Sequence, residues 1–256
     1  MKGRIKKVFP GGNTSKGFYS FYDYIIAPSA NRIFVIKGGP GVGKSTIMRR
    51  IGEELVNRGY DVEYHCCSSD NNSLDGVFIP KLDVALIDGT APHVVDPKNP
   101  GAVDEIVYLG DYWDVAGMRK YKSEILNCNR EISRLFKRAY AQLAAAKIYL
   151  DEIEVYYRDA NALNIPGLNG KTEELTDLIL GNAPFTDKVS KERHLFASAI
   201  TPQGYCSHLE TIVGYLGKRI IIHGKPGTGK STMVHKIAHA VINKGYDVEV
   251  YHCPLD

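Results

Sequence analysis

Two short stretches of this chain carry residue types spaced for phosphate chemistry: Gly38-Gly39-Pro40-Gly41-Val42-Gly43-Lys44-Ser45-Thr46 and Gly224-Lys225-Pro226-Gly227-Thr228-Gly229-Lys230-Ser231-Thr232. Both fit the pattern G-x-x-x-x-G-K-[ST]. Its glycines let consecutive backbone N–H groups turn inward on phosphate oxygens, and the helix that follows points its positive end at the same anion. In such a loop Lys44 and Lys230 would bridge the β and γ phosphates of a nucleoside triphosphate, while the Ser45 and Ser231 hydroxyls would ligate Mg²⁺.

A second magnesium-facing group is expected at the C-terminal end of a buried apolar strand. Asp88, after Val84-Ala85-Leu86-Ile87, suits that role. The competing reading is turn chemistry, because Gly89 follows. Gly89 also stands where many strand-located ATPases carry a water-orienting glutamate, so the base is left open among Asp70, its repeat partner Asp256, and His93, each also readable as a capping or loop side chain. Arg193 is a candidate arginine finger reaching across from the second copy.

The elements that must position these groups follow from periodicity. Arg32 to Lys37 is a short apolar run entering the first glycine loop, and Lys44 to Arg58 continues with helical spacing at Ile47, Ile51 and Leu55. Asp61 to Cys66 and Asp83 to Asp88 are further strand candidates, the latter a continuous apolar run of the kind buried on both faces of a parallel sheet. Alternating strands and helices predict an α/β fold of the P-loop NTPase type, with a mainly parallel sheet.

Internal repetition sets the domain organisation. Residues 38 to 63 align without a gap on residues 224 to 249, with 14 of 26 positions identical. Gly59-Tyr60-Asp61-Val62-Glu63 returns as Gly245-Tyr246-Asp247-Val248-Glu249, and Phe9, Thr14 and Gly17 face Phe196, Thr201 and Gly204. The second copy ends at Asp256, the counterpart of Asp70, so a fragment or shortened form is expected, with a second, incomplete P-loop repeat. The division is 1–114 for a first nucleotide-binding core, 115–190 for a helical insertion, and 191–256 for the start of the second repeat.

Within the insertion, Met118, Ile125, Ile132, Ala139, Ala146 and Ile153 recur every seven residues, with Tyr121, Cys128, Leu135, Tyr149 and Tyr156 as a second column interrupted by Gln142. That spacing predicts a long helix from about Val115 to Tyr157 with a coiled-coil-like seam. The plain expectation is that this helix, or a hairpin of two, packs back on the core.

Composition narrows the partners. The chain has 256 residues, 44% hydrophobic and 24% charged, ordinary for a globular protein. Net charge is +3, from 32 basic and 29 acidic side chains, too balanced to indicate a nucleic-acid binder. Met1 to Pro10 carries four basic residues but no apolar stretch behind them, and no run suffices for a membrane span. Five cysteines, an odd number, fit reduced thiols and a cytoplasmic location. His65-Cys66-Cys67 and His252-Cys253 do not complete a four-ligand zinc spacing, and the sole tryptophan, Trp113, reads as core or interface.

Four segments carry a resemblance: Gly38 to Thr46, Leu86 through Pro97 with its Asp-Gly-Thr-Ala-Pro-His, Arg193 to Pro202, and Gly245 to Asp256. They resemble an uncharacterised family of duplicated, tandem P-loop ATPases of Firmicutes-type bacteria. The resemblance covers nearly the whole chain and implies a second copy with its own Asp-Gly-Thr-Ala-Pro-His segment, which this chain lacks.

The expectation is a Mg²⁺-dependent ATPase with ATP as cofactor, coupling nucleotide state to an unknown protein or small-molecule partner. The lack of an Asn-Lys-x-Asp guanine-reading motif favours ATP over GTP. A nucleotide or small-molecule kinase is the alternative, with Arg119, Arg130, Arg134 and Arg138 of the insertion as lid residues. A nucleotide-gated interaction module with little turnover is the third reading. Fold analogy does not separate them.

Overall fold

A computed structural model describes residues 1–91 and 94–255. The first copy comprises β1 (Ile5–Val8), β2 (Gly11–Thr14), β3 (Gly17–Ser20), β4 (Arg32–Lys37), α1 (Lys44–Asn57), β5 (Val62–Cys66), β6 (Leu74–Ile79), β7 (Val84–Asp88) and β8 (Asp104–Tyr108). The insertion holds α2 (Val115–Lys120), α3 (Lys122–Asp159) and α4 (Ile165–Leu180). The second copy contributes β9 (Glu192–Phe196), β10 (Ser198–Thr201), β11 (Gly204–Ser207), α5 (Leu209–Val213), α6 (Lys230–Asn243) and β12 (Val248–His252).

Six strands form the main sheet in the order β1-β5-β6-β7-β4-β8. All run parallel except β6, which is antiparallel to both β5 and β7. The architecture is mixed α/β with a mostly parallel sheet. In β4 and β7, Ile33, Val35, Ile36, Ala85, Leu86 and Ile87 are all buried, as expected of apolar strands covered on both faces. One face packs Met48 and Val56 of α1 against Tyr64, Leu74 and Val77, and the other packs Tyr22, Ile25 and Ile26 against Val35, Ala85 and Ile87.

The two copies meet about a local two-fold. Phe9 and its counterpart Phe196 exchange backbone hydrogen bonds, N to O at 2.9 and 3.0 Å. The register Lys6↔Glu63 of β1 and β5 is repeated as Arg193↔Glu249 of β9 and β12. The hairpin of β2 and β3 returns as that of β10 and β11, with Thr14↔Gly17 matching Thr201↔Gly204. At the centre each cation touches both carboxylates: Lys6 Nζ lies 3.0 Å from Glu63 and 2.7 Å from Glu249, and the Arg193 guanidinium pairs with Glu63 and, at 2.9 Å, with Glu249.

Beyond this interface the copies diverge. In the first copy β4 pairs with β7 and β8. The counterpart of β4, residues 218–223, forms no strand, and Ile221 is 88% exposed. An apolar Ile-Ile-Ile run is therefore left without ladder partners.

The insertion differs from expectation. A break at Tyr121 separates α2 from α3, a single helix of 38 residues, about 57 Å long at 1.5 Å per residue, in which no residue is fully buried. It is neither a hairpin nor packed along its length on the core. Ile132, Leu135, Tyr149 and Tyr156 of the heptad columns are exposed, whereas Phe136, Tyr140, Leu143 and Leu150 are half-buried. α3 is anchored where the Tyr140 hydroxyl donates to Asn13 Oδ1 at 3.0 Å. The buried Asn13 amide in turn donates to the carbonyls of Ser68 and Ile200 at 3.1 and 2.9 Å, tying helix, first copy and second copy at one residue.

Candidate functional site

The first glycine loop joins the C-terminal end of β4 to the N-terminus of α1, beside the end of β7. Gly41 and Gly43 have φ of 78° and 96°, and open space surrounds both Cβ positions. These are left-handed conformations that glycine adopts without strain. Gly43 caps α1 without a side-chain bond, so the first-turn N–H groups face outward for an anion. On the opposite side the ring of Trp113 stands 2.8 Å from the Cβ position of Gly39, packed directly on the loop.

Lys44 is buried. Its ammonium folds back to donate to the carbonyls of Gly38 and Gly39 at 2.8 and 2.9 Å, and Asp88 Oδ2 lies 3.6 Å away. Ser45 Oγ accepts from the Leu74 N–H at 2.9 Å, joining loop and β6. Asp88 accepts from the Thr90 N–H at 2.9 Å and from the Thr90 hydroxyl. A cleft of about 450 Å³ brings Lys44, Ser45, Asp70, Asp75 and Asp88 together. The oxygen donors Ser45 and Asp88 beside the loop suit a hard divalent cation.

Asp70 lines the cleft, where it accepts from the Asn72 N–H and, at 2.5 Å, from the Ser73 hydroxyl. Those bonds make it an Asx-turn residue as well as a cleft residue. His93 and Asp256 lie outside the described residues. Arg193 is not over the loop. Its guanidinium is committed to Glu63, to Glu249, and to the carbonyls of Tyr24 and Ile25 at 2.7 and 3.1 Å, so the arginine-finger reading is corrected to a structural cation between the copies. Two of the four expected lid arginines turn to their own helix: Arg134 bonds Glu131, and Arg130 bonds Asn127. His65 is fully buried with Nε2 2.9 Å from Glu63, and burial lowers its pKa, so it serves as a neutral partner of that carboxylate.

Asp75 is the residue that sequence reasoning passed over. It is buried at the start of β6, lines the same cleft, and hydrogen-bonds with Tyr22 and Cys67. Burial pushes its pKa up to about 7, with the Asp88 and Asp70 charges adding to the rise. The signal that could have found it is an aspartate entering the apolar run Val77-Phe78-Ile79, masked because Asp75-Gly76 reads as a turn.

The second loop repeats the backbone of the first at two glycines, while Gly224 lacks the positive φ of its counterpart Gly38. Gly227 and Gly229 have φ of 76° and 88°, and Lys230 Nζ donates to the Lys225 carbonyl at 2.6 Å, as Lys44 does to the counterpart Gly39. Thr228 closes onto the Lys225 carbonyl at 2.8 Å, and Ser231 and Thr232 open α6. Gly224 and Pro226 follow the unpaired segment 218–223.

Among the described residues, no helix is long and apolar enough to cross a membrane. No curated protein and no solved structure matches the chain. One family model, described as Nephrocystin 3, N-terminal, matches residues 19–77, the stretch from β3 through most of β6 that contains the first glycine loop, Asp70 and Asp75.

Proposed function

We propose that this chain binds ATP with Mg²⁺ at Gly38 to Thr46 and hydrolyses it. The observation that carries the reading is the buried Lys44 ammonium, held on two loop carbonyls 3.6 Å from Asp88 beneath unblocked N–H groups of α1. A triphosphate entering the cleft would draw Lys44 from those carbonyls to its own oxygens, and the α1 amides would receive the rest of the charge. Ser45 and Asp88 would hold Mg²⁺, which supplies positive charge to the phosphate oxygens when bound.

Asp75 and Asp70, which line the cleft, are the carboxylates we assign as candidates to accept a proton from the attacking water. An acceptor-phosphorylating reading gains no support from Arg130 and Arg134, which bond within α3 rather than over the loop. Steady-state phosphate release with Mg²⁺ tests the proposal. Asp88→Asn is expected to lower turnover by at least tenfold with the fold intact. Turnover unchanged in Asp88→Asn, or phosphate appearing on an added metabolite rather than in solution, would remove it.

A further inference from the structure

We infer that the two glycine loops are unequal ligand sites: the second is covered by the corner between α3 and α4, and it admits a triphosphate only when that corner is displaced. The inference rests on the triphosphate reading of the first loop and adds which loop is open.

The two loops share left-handed glycines at Gly41/Gly227 and Gly43/Gly229 and a lysine donating to the carbonyl of residue 39 or 225, and they differ in what stands on those glycines. At Gly41 and Gly43 a Cβ would meet nothing within 4 Å. At Gly227 it would meet Tyr157 at 2.9 Å and the Glu154 side chain at 3.5 Å, and at Gly229 it would meet Leu168 at 2.6 Å. These glycines flank the turn into α6, whose first-turn N–H groups a phosphate would need. The end of α3 and the start of α4 therefore stand on its approach, and Glu154 adds an acidic side chain where an anion would enter.

The cover is built into the packing. Lys236 of α6 donates to Asn169 of α4 at 2.6 Å, and Thr172 and Met233 are buried between the helices. Met233 is 6% exposed, although its counterpart Ile47 in α1 is 39% exposed. Conversely, Met48 is fully buried against the main sheet, and its counterpart Val234 is 47% exposed. α6 thus buries the side that α1 leaves open, and α4 supplies the surface. Asn161, with φ of 46°, ends α3, and Asn164 caps α4 by accepting from the Gly167 N–H at 2.9 Å. The connection between the helices is short and exposed, a place where a corner can swing.

The test is the number of Mg²⁺-ATPγS equivalents bound by the full chain in equilibrium dialysis. Wild type is expected to bind one. Lys44→Ala should bind none, and Lys230→Ala should still bind one. Tyr157→Ser with Leu168→Ser should bind two, the second lost on adding Lys230→Ala. The Lys44 site serves as the folding control in every variant that keeps Lys44, and circular dichroism serves for Lys44→Ala. Should that pair fail to fold, Glu154→Lys, a single exposed change, is expected to produce the second equivalent instead. Two equivalents in wild type, one of them lost in Lys230→Ala, would overturn the inference while leaving the triphosphate reading standing. One equivalent persisting in a folded corner variant would overturn it as well. No binding in any form would refute the triphosphate reading and the inference with it.

Discussion

Replacing Arg193 by methionine removes one of the two cations that join the copies at their two-fold. Glu63, with a side chain 4% exposed, loses two hydrogen bonds from the guanidinium and keeps only Lys6 and His65. The carbonyls of Tyr24 and Ile25 lose their donors as well. Lys6 still offsets the Glu63 charge, so the expected loss is that of charged hydrogen bonds to a buried carboxylate, about 2–3 kcal/mol. Glu249 is 41% exposed, and Glu249→Gln should cost no more than about 1 kcal/mol.

The sign with pH follows from Glu63. Burial alone would raise its pKa, but the His65 and Arg193 contacts outweigh burial and hold it well below the usual carboxylate range. A depressed native pKa contributes stability that is present above the unfolded value, near 4.5, and lost as pH falls below it. Arg193→Met should reduce that acid dependence. Urea titration by circular dichroism at neutral and acid pH measures both effects, and Glu63→Gln combined with Arg193→Met should be less destabilised than the sum of the single changes. A cost below about 1 kcal/mol for Arg193→Met, no larger than for Glu249→Gln, would refute the reasoning.

The other predictions concern the asymmetry of the copies and the buried acid. Met48→Ala should cost about 2–5 kcal/mol by urea unfolding, and Val234→Ala less than about 0.5 kcal/mol, because only the first faces a sheet. For Asp75, the native pKa of about 7 lies above the unfolded 3.8, so the native state binds the extra proton between those values. Its contribution therefore favours the folded state below about pH 4 and is lost as pH rises through 7. Asp75→Asn should flatten that part of the stability profile, and a profile unchanged in shape would contradict it. Gly39→Ala would push a methyl group into Trp113, so the emission of this sole tryptophan should shift.

The parts legible in the sequence were those set by local spacing. The glycine loops need their residues within nine positions, and the apolar runs of β4 and β7 announce buried strands without any partner. β6 was missed because Leu74-Asp75-Gly76 looks like a turn, and its antiparallel direction depends on pairing with β5 and β7 rather than on its own residues. The Lys6, Glu63, Arg193 and Glu249 quartet joins residues up to 243 positions apart, and nothing in either strand alone marks them. The heptad spacing of α3 gave its length but not its buried face, since a seven-residue repeat specifies a stripe and leaves open what covers it.

Because Trp113 packs on Gly39, titrating ATP with Mg²⁺ into wild type and Lys44→Ala while recording tryptophan emission tests triphosphate binding at the Lys44 loop most directly. Saturable change in wild type, weakened at least a hundredfold in Lys44→Ala and unchanged in Lys230→Ala, is the predicted result. No saturable change in wild type, confirmed by dialysis, or equal affinity in wild type and Lys44→Ala, would contradict it.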